Sequence, residues 1–345
     1  MRPLPDLARL AVGNPAELWD RARMRYLHPF YVDLFPDPGR SVLVAGSARS
    51  GTTWLAELIT HDRTYRYLFE PFRPGRLPLA RPFGTRRYLP LGTDDPSLVT
   101  PAGRILTGRV RGHWVDRLNR AMVPRRRLIK DVWANLLLPW LHDRFPRVRL
   151  ILVLRHPLAA TSSQLILHDW DWKVDVAGLL QQPDLVRDHL APQEALMRRV
   201  AATGTPLERH LVTWCAENVV PLRSPAAARA LVVFYEDLWQ RPEREAERLS
   251  RFLDHDLGPD VAARARTPSL ASSSRTRVSD GMDPLTGWMD RLSKRDIAGA
   301  LEVLEAFGLD SLYGPEPLPR VEADSVLPRP RLPLGIAPAS SGQGQ

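Results

Sequence analysis

Short apolar runs of strand length recur along the chain, and most are followed by segments with helical spacing. The first is Val42-Leu43-Val44-Ala45, after which Trp54, Leu55, Leu58 and Ile59 predict a helix beginning near Gly51. Tyr65 to Phe69 alternates like a strand and stops at Glu70-Pro71, because a residue before proline is held extended. Leu128 to Val132, Arg149 to Leu154 and Leu231 to Tyr235 read as further strands. Helices are predicted over Leu136–Leu141, Leu158–Leu167, Leu207–Leu222, Pro242–Leu253 and Asp296–Phe307. Strands alternating with helices imply an α/β fold, a single domain whose central parallel β-sheet is flanked by helices. Ligands of such sheets bind at the carboxyl ends of the strands.

The rest of the pattern sets the domain limits. Residues 7–27 have the spacing of an amphipathic basic helix, so 1–40 is expected to be an N-terminal helical extension. A packed surface helix is the preferred reading, with peripheral membrane contact left open. The α/β domain is expected over 41–313, and the proline-rich segment 314–345 as a disordered tail. Residues 71–104 lack periodicity and read as a long loop, a lid on the acceptor side; 267–287 read as a Ser/Arg-rich loop.

Composition narrows the function classes. The 345 residues include one cysteine, Cys215, which excludes an intrachain disulfide and fits a reducing cytoplasm; its helical setting suggests a small buried hydrophobe. No apolar run is long enough to span a membrane. The net charge of +9 is carried by arginine, with only Lys130, Lys173 and Lys294 as lysines. Such an excess favours a doubly phosphorylated nucleotide, an acidic acceptor or nucleic acid. Nucleic acid is set aside because no recognition motif accompanies the charge.

The candidate chemistry begins with Gly46-Ser47-Ala48-Arg49-Ser50-Gly51-Thr52-Thr53. A loop of small residues between a strand and a helix N-terminus aims backbone N–H groups into one concavity and adds the helix dipole. Thr52 stands where a nucleoside-triphosphate loop requires lysine, and the cation, Arg49, lies earlier. The loop therefore suits a nucleotide with a different transferable group. Ser-Ala-Arg-Ser-Gly-Thr-Thr-Trp-Leu resembles the 5′-phosphosulfate loop of sulfotransferases that use 3′-phosphoadenosine 5′-phosphosulfate (PAPS). The Arg-Ser-Gly form is similar to that of Golgi carbohydrate and protein-tyrosine sulfotransferases and their bacterial relatives. The resemblance spans roughly residues 41–310 and implies a P-loop-like domain.

It also implies roles for particular residues. Arg49, Ser50, Gly51, Thr52 and Thr53 would hold the 5′-phosphate, and Trp54 would stack on adenine; its alternative is a core tryptophan. Arg155 closes a strand, and Ser163 follows eight residues later; this resembles the family's 3′-phosphate motif. The alternative for Arg155 is pairing with a carboxylate. Ser273 and Arg275, within the run Ser272 to Arg277, resemble the loop that covers the nucleotide. Glu70 resembles the catalytic base, with pairing to Arg66, Arg73 or Arg76 as its bland alternative and His113 as its rival. Lys130 resembles the lysine that contacts the transferring group, although Trp133 departs from the carbohydrate relatives.

The expectation is a PAPS-dependent sulfotransferase without a metal, with Arg49, Glu70 and Lys130 catalytic. The acceptor hydroxyl would come from a carbohydrate or glycolipid; a phenolic natural product or a tyrosyl side chain is the alternative. His168-Asp169-Trp170-Asp171-Trp172 could wall a sugar site. The rivals in other classes are a P-loop kinase using ATP and a non-catalytic anion-binding protein.

Overall fold

The protein is described from a computed structural model, over residues 31–33, 35–166, 174–266 and 283–327. Its sheet contains β1 (Ser41–Ala45), β2 (Tyr65–Phe69), β3 (Arg126–Asp131), β4 (Arg149–Leu154) and β5 (Leu231–Phe234). The order is β2-β3-β1-β4-β5, and every neighbouring pair is parallel. The main helices are α1 (Thr52–Ile59), α2 (Pro96–Leu106), α3 (Leu138–Arg144), α4 (Pro157–Ile166) and α5 (Glu194–Thr203). They continue with α6 (Pro206–Arg223), α7 (Tyr235–Gln240), α8 (Pro242–Leu253) and α9 (Lys294–Ala306).

Alternate residues of each strand enter opposite cores, the reason these strands read as unbroken apolar runs. Val42, Val44, Leu128, Ile151 and Val153 pack with α1 and α8. Leu43, Ala45, Ile129, Leu150 and Leu152 pack with α2, α3, α6 and α9. Cys215 is buried on α6 in this second layer, which pushes its thiol pKa up and makes it the small hydrophobe expected. The chain runs from β1 out to β2, back through β3, and across β1 to β4. Its direction therefore reverses beside β1, the position where such sheets open a ligand crevice.

Two expectations need correction. The segment 71–104 is not a long structureless lid: Phe72, Leu77, Ala80 and Phe83 are buried, and α2 begins at Pro96. Asp95 caps α2 by accepting from Ser97 N at 2.8 Å, and Leu98, Ala102 and Ile105 form its buried face. The proline content had concealed a proline at the first helical turn, where its missing N–H costs nothing. The tail is likewise ordered from 314 to 327. Ala323 and Leu327 are buried, Arg320 N donates to Leu312 O at 2.9 Å, and Arg248 pairs with Asp324.

The expected helix over 7–27, the tryptophan run 168–172, the stretch Ser272 to Arg277 and residues 328–345 lie outside the described residues. Among the described residues no helix is long and apolar enough to cross a membrane.

Candidate active site

The loop after β1 is shaped by what glycine permits. A Cβ on Gly46 would fall against Val153 O of β4, and one on Gly51 would lie 2.5 Å from the Tyr235 ring. Gly51 also has φ 89°, a left-handed conformation that favours glycine, and serves as the N-cap of α1 without a side-chain cap. The first-turn amides of α1 are thus left to an external acceptor. The loop is fastened from behind. Asn135 Oδ1 accepts from Gly46 N at 3.2 Å, Asn218 Nδ2 donates to Ser47 Oγ at 2.9 Å, and Gln164 Nε2 donates to Ala48 O at 2.7 Å. None of these three supports was singled out from the sequence, because amides on separate helices carry no local motif.

Arg49 has φ 69°, strained for a residue with a side chain, and its Nε donates to Ser163 Oγ at 3.1 Å. Arg155 reaches the same place from the end of β4. Its Nη1 donates to Arg49 O at 3.0 Å, its Nη2 to Pro284 O at 2.8 Å, and its guanidinium lies 4.2 Å from the Tyr235 ring centroid. Burial, then the charge of Arg155, pulls the Arg49 pKa down to about 10. Among the described residues neither arginine has a carboxylate partner. Arg155 Nε and Ser50 Oγ are buried with no hydrogen-bond partner among the described residues. Two half-buried cations beside orphaned donors are a combination that an anion would satisfy. The expected cradle of Arg49, Ser50, Gly51, Thr52, Arg155 and Ser163 is therefore brought together, with Thr53 adjoining on α1.

Trp54, expected either to stack on adenine or to fill the core, lies in the core: it is 7% exposed, 5.0 Å from the Tyr235 ring and 6.2 Å from that of Trp239.

Next to the loop, β2 and β3 end together. Glu70 N donates to Lys130 O at 2.7 Å, and Lys130 Nζ donates to Glu70 Oε1 at 2.6 Å. Glu70 has φ 44°, and Trp114 Nε1 donates to its carbonyl at 3.3 Å. Arg73 lies 3.8 Å from Glu70 Oε2, while Arg66 is fully buried against Asp116 at 2.8 Å and takes no part. The rival base His113 is exposed at the start of the short helix His113–Asp116. Asp131 orients the neighbouring chain, accepting from Phe72 N at 2.8 Å and Trp133 N at 2.7 Å. Its burial, and the charge of Glu70, push its pKa up to about 7.

A carboxylate held beside a lysine, next to an anion cradle, can deprotonate a hydroxyl and offset charge on a group transferred to it. The profile of the sulfotransferase family matches residues 41–259. The chain is similar to mouse sulfotransferase SULT7A1 solved with PAP, at 14% identity over 82% of this chain and 87% of that one, TM-score 0.43. It is also similar to sulfotransferase STF9 from Mycobacterium avium, at 16% identity over 85% and 79% of the two chains, TM-score 0.38. A third similar structure is the sulfotransferase domain of the Synechococcus PCC 7002 olefin synthase, at 17% identity over 78% and 94%, TM-score 0.37. No curated protein matches the chain. With the family profile covering the sheet, the anion loop and the ends of β2, β3 and β4, the chain belongs to the sulfotransferase family and is an enzyme of sulfuryl transfer.

Proposed function

We propose that the enzyme takes its sulfuryl group from PAPS and delivers it to a hydroxyl of a carbohydrate or glycolipid by in-line displacement. The observation that carries the donor is the Arg49–Arg155 pair. Both guanidiniums converge on the loop, and among the described residues neither has a carboxylate and Arg155 Nε has no partner. The donor has two anionic ends, a 5′-phosphosulfate and a 3′-phosphate, and this donor set fits both. The first-turn amides and the hydroxyls of Thr52 and Thr53 would hold the 5′-phosphate; Arg155 and Ser163 would hold the 3′-phosphate. Ser273 and Arg275 are proposed to cover the nucleotide.

On the acceptor side Glu70 would accept the hydroxyl proton as the new S–O bond forms and the bond from sulfur to the bridging phosphate oxygen breaks. Lys130 has two tasks. It fixes Glu70 Oε1, and its charge offsets the negative charge that grows on the transferring and leaving oxygens, as does Arg49. The half-buried Trp114, whose indole N–H holds the Glu70 carbonyl, supports a saccharide acceptor because sugar rings pack on indole faces.

The test is calorimetry of PAP, ADP and AMP with the wild-type protein and with Arg155→Ala. Wild type is expected to prefer PAP, and the variant to lose about 10- to 100-fold in PAP affinity, the effect of a lost charged hydrogen bond. AMP affinity should change little. Absence of a PAP preference in wild type, or preference for ATP with magnesium, refutes the donor assignment.

A further inference from the structure

Beyond Glu70 lies a group of cations that the transfer chemistry does not use. Three guanidiniums surround one indole: Arg73 is 4.9 Å, Arg76 4.6 Å and Arg117 4.2 Å from the Trp114 ring centroid. Arg117 also lies 3.9 Å from the Phe69 ring, and Lys130 Nζ lies 4.8 Å from that same ring. The group is thus continuous with the catalytic pair. Arg76 is exposed, and Arg73 and Arg117 are half-buried, so a ligand can reach them.

The cluster is not neutralised from within. Arg73 has only the long 3.8 Å contact with Glu70, which Lys130 already engages at 2.6 Å. Among the described residues Arg76 and Arg117 have no carboxylate within ion-pair distance. Other arginines of the chain show what a satisfied one looks like here: Arg86 holds Glu217 at 2.5 Å, and Arg66 holds Asp116 at 2.8 Å. Cation–π contact is weak compensation for three like charges crowded at one ring. Burial lowers the Arg117 pKa, Glu70 and Tyr67 partly offset this, and Arg73 and Arg76 lower it slightly further. Among the described residues four cations, Arg73, Arg76, Arg117 and Lys130, gather on the side of Glu70 that would take the acceptor's proton, and the nearby carboxylate of Asp131 is turned to backbone N–H groups.

We propose that the acceptor is an acidic one, carrying an anionic substituent close to the hydroxyl that is sulfated, and that Arg73, Arg76 and Arg117 select it. This rests on the sulfuryl-transfer reading and names the class of its acceptor. The anion would complete the neutralisation that the fold leaves open, and the exposed rim of the cluster would draw it in from solution. Trp114 would border the uncharged part of the same molecule. The arginines are specificity residues, distinct from the pair that handles the proton.

The probes are 4-nitrophenyl β-D-glucuronide and 4-nitrophenyl β-D-glucoside, which differ only at C6, a carboxylate in the first and a hydroxymethyl group in the second. Their binding to the PAP-loaded full chain is measured by calorimetry, together with sulfuryl transfer from PAPS. The glucuronide is expected to bind about tenfold more tightly, the effect of one charge-assisted contact. Arg76→Ala and Arg117→Gln should each remove most of that preference while leaving PAP affinity unchanged. Equal binding of the two sugars, no measurable binding of either, or a preference that survives both substitutions overturns the inference. PAP affinity, read in the same samples, separates the two failures: its absence refutes the donor assignment, whereas its presence without acidic preference refutes only this one.

Discussion

Arg49 and Glu70 each occupy a left-handed backbone conformation, at φ 69° and 44°, that a residue with a side chain adopts only when its surroundings hold it there. Such conformations cost on the order of 1–3 kcal/mol each and tend to collect at working sites. The structure supplies the restraint in both cases. Gln164 and Asn218 fix the loop around Arg49, and Lys130 holds Glu70 by both its backbone carbonyl and its ammonium. The role of Glu70 can be separated from its pairing. Glu70→Gln keeps an acceptor oxygen for Lys130 Nζ but cannot take a proton, so turnover should fall by roughly 10²–10⁴ with PAP affinity nearly intact. Steady-state kinetics beside calorimetry reads both quantities. Near-normal turnover would move the base elsewhere, with His113 next in line.

At the level of elements, the end of β4 is joined to the start of α7 and to the segment that follows α9 through one buried network. Glu236 Oε1 accepts from His156 N at 2.8 Å, and Tyr313 Oη donates to Glu236 Oε2 at 3.2 Å. The His156 ring stacks on Trp288 at 4.5 Å, and its Nε2 lies 3.0 Å from Gly314 O. Since Arg155 precedes His156, this network sets the position of the cradle's second cation. Burial pushes the Glu236 carboxyl up from 4.5 to about 7 and the His156 imidazole down to about 4. The two have opposite linkage. Glu236 binds more protons folded than unfolded between its two pKa values, so its contribution to stability is full below about 4.5 and lost as pH rises through about 7. His156 binds fewer protons folded, so its contribution grows as pH rises from about 4 to 6.5. A comparison with Glu236→Gln isolates the carboxyl. From pH 5 to pH 8 the variant should gain on wild type by on the order of 2 kcal/mol, read as the change in their Tm difference. A Tm difference that does not move with pH would mean that Glu236 does not titrate in that window.

On the scale of the whole molecule, the segment after Tyr313 closes the layer over β5 and α8. Besides the Arg248–Asp324 pair, Arg244 holds Glu322 at 2.7 Å, and Leu327 and Ala323 are buried in the core shared by α6 and α9. Arg248 also holds the buried Glu245, so losing Asp324 breaks one of its two carboxylate contacts, and the larger cost is the uncovering of Ala323, Leu327 and the apolar surface beneath them. Deleting residues 315–345 should therefore lower stability by about 3 kcal/mol or more relative to deleting 328–345 alone, from lost burial and the broken pair together. Urea unfolding of the two truncated chains checks this. Equal midpoints would show that the ordered segment adds nothing.

Much of this protein was legible in its sequence because the information is local. Strand and helix periods, the small-residue loop from Gly46 to Gly51 and the strand-terminal Arg155 each announce themselves within a dozen neighbouring residues, through backbone geometry that short segments already dictate. The two misread stretches failed for a related reason. Proline and scattered polar residues hide a packed segment when its apolar side chains follow no regular period, as with Phe72, Leu77 and Phe83, or join a core built from distant elements, as with Leu327. What only the tertiary structure decided are the meetings across the sheet. Strand order places β2 beside β3, which brings Glu70 to Lys130 across a separation of 60 residues. The same placement sets Arg73, Arg76 and Arg117 around Trp114, and β4 beside β1 sets Arg155 against Arg49. Charge in a sequence is only a sum; where it converges is fixed by which strands lie side by side.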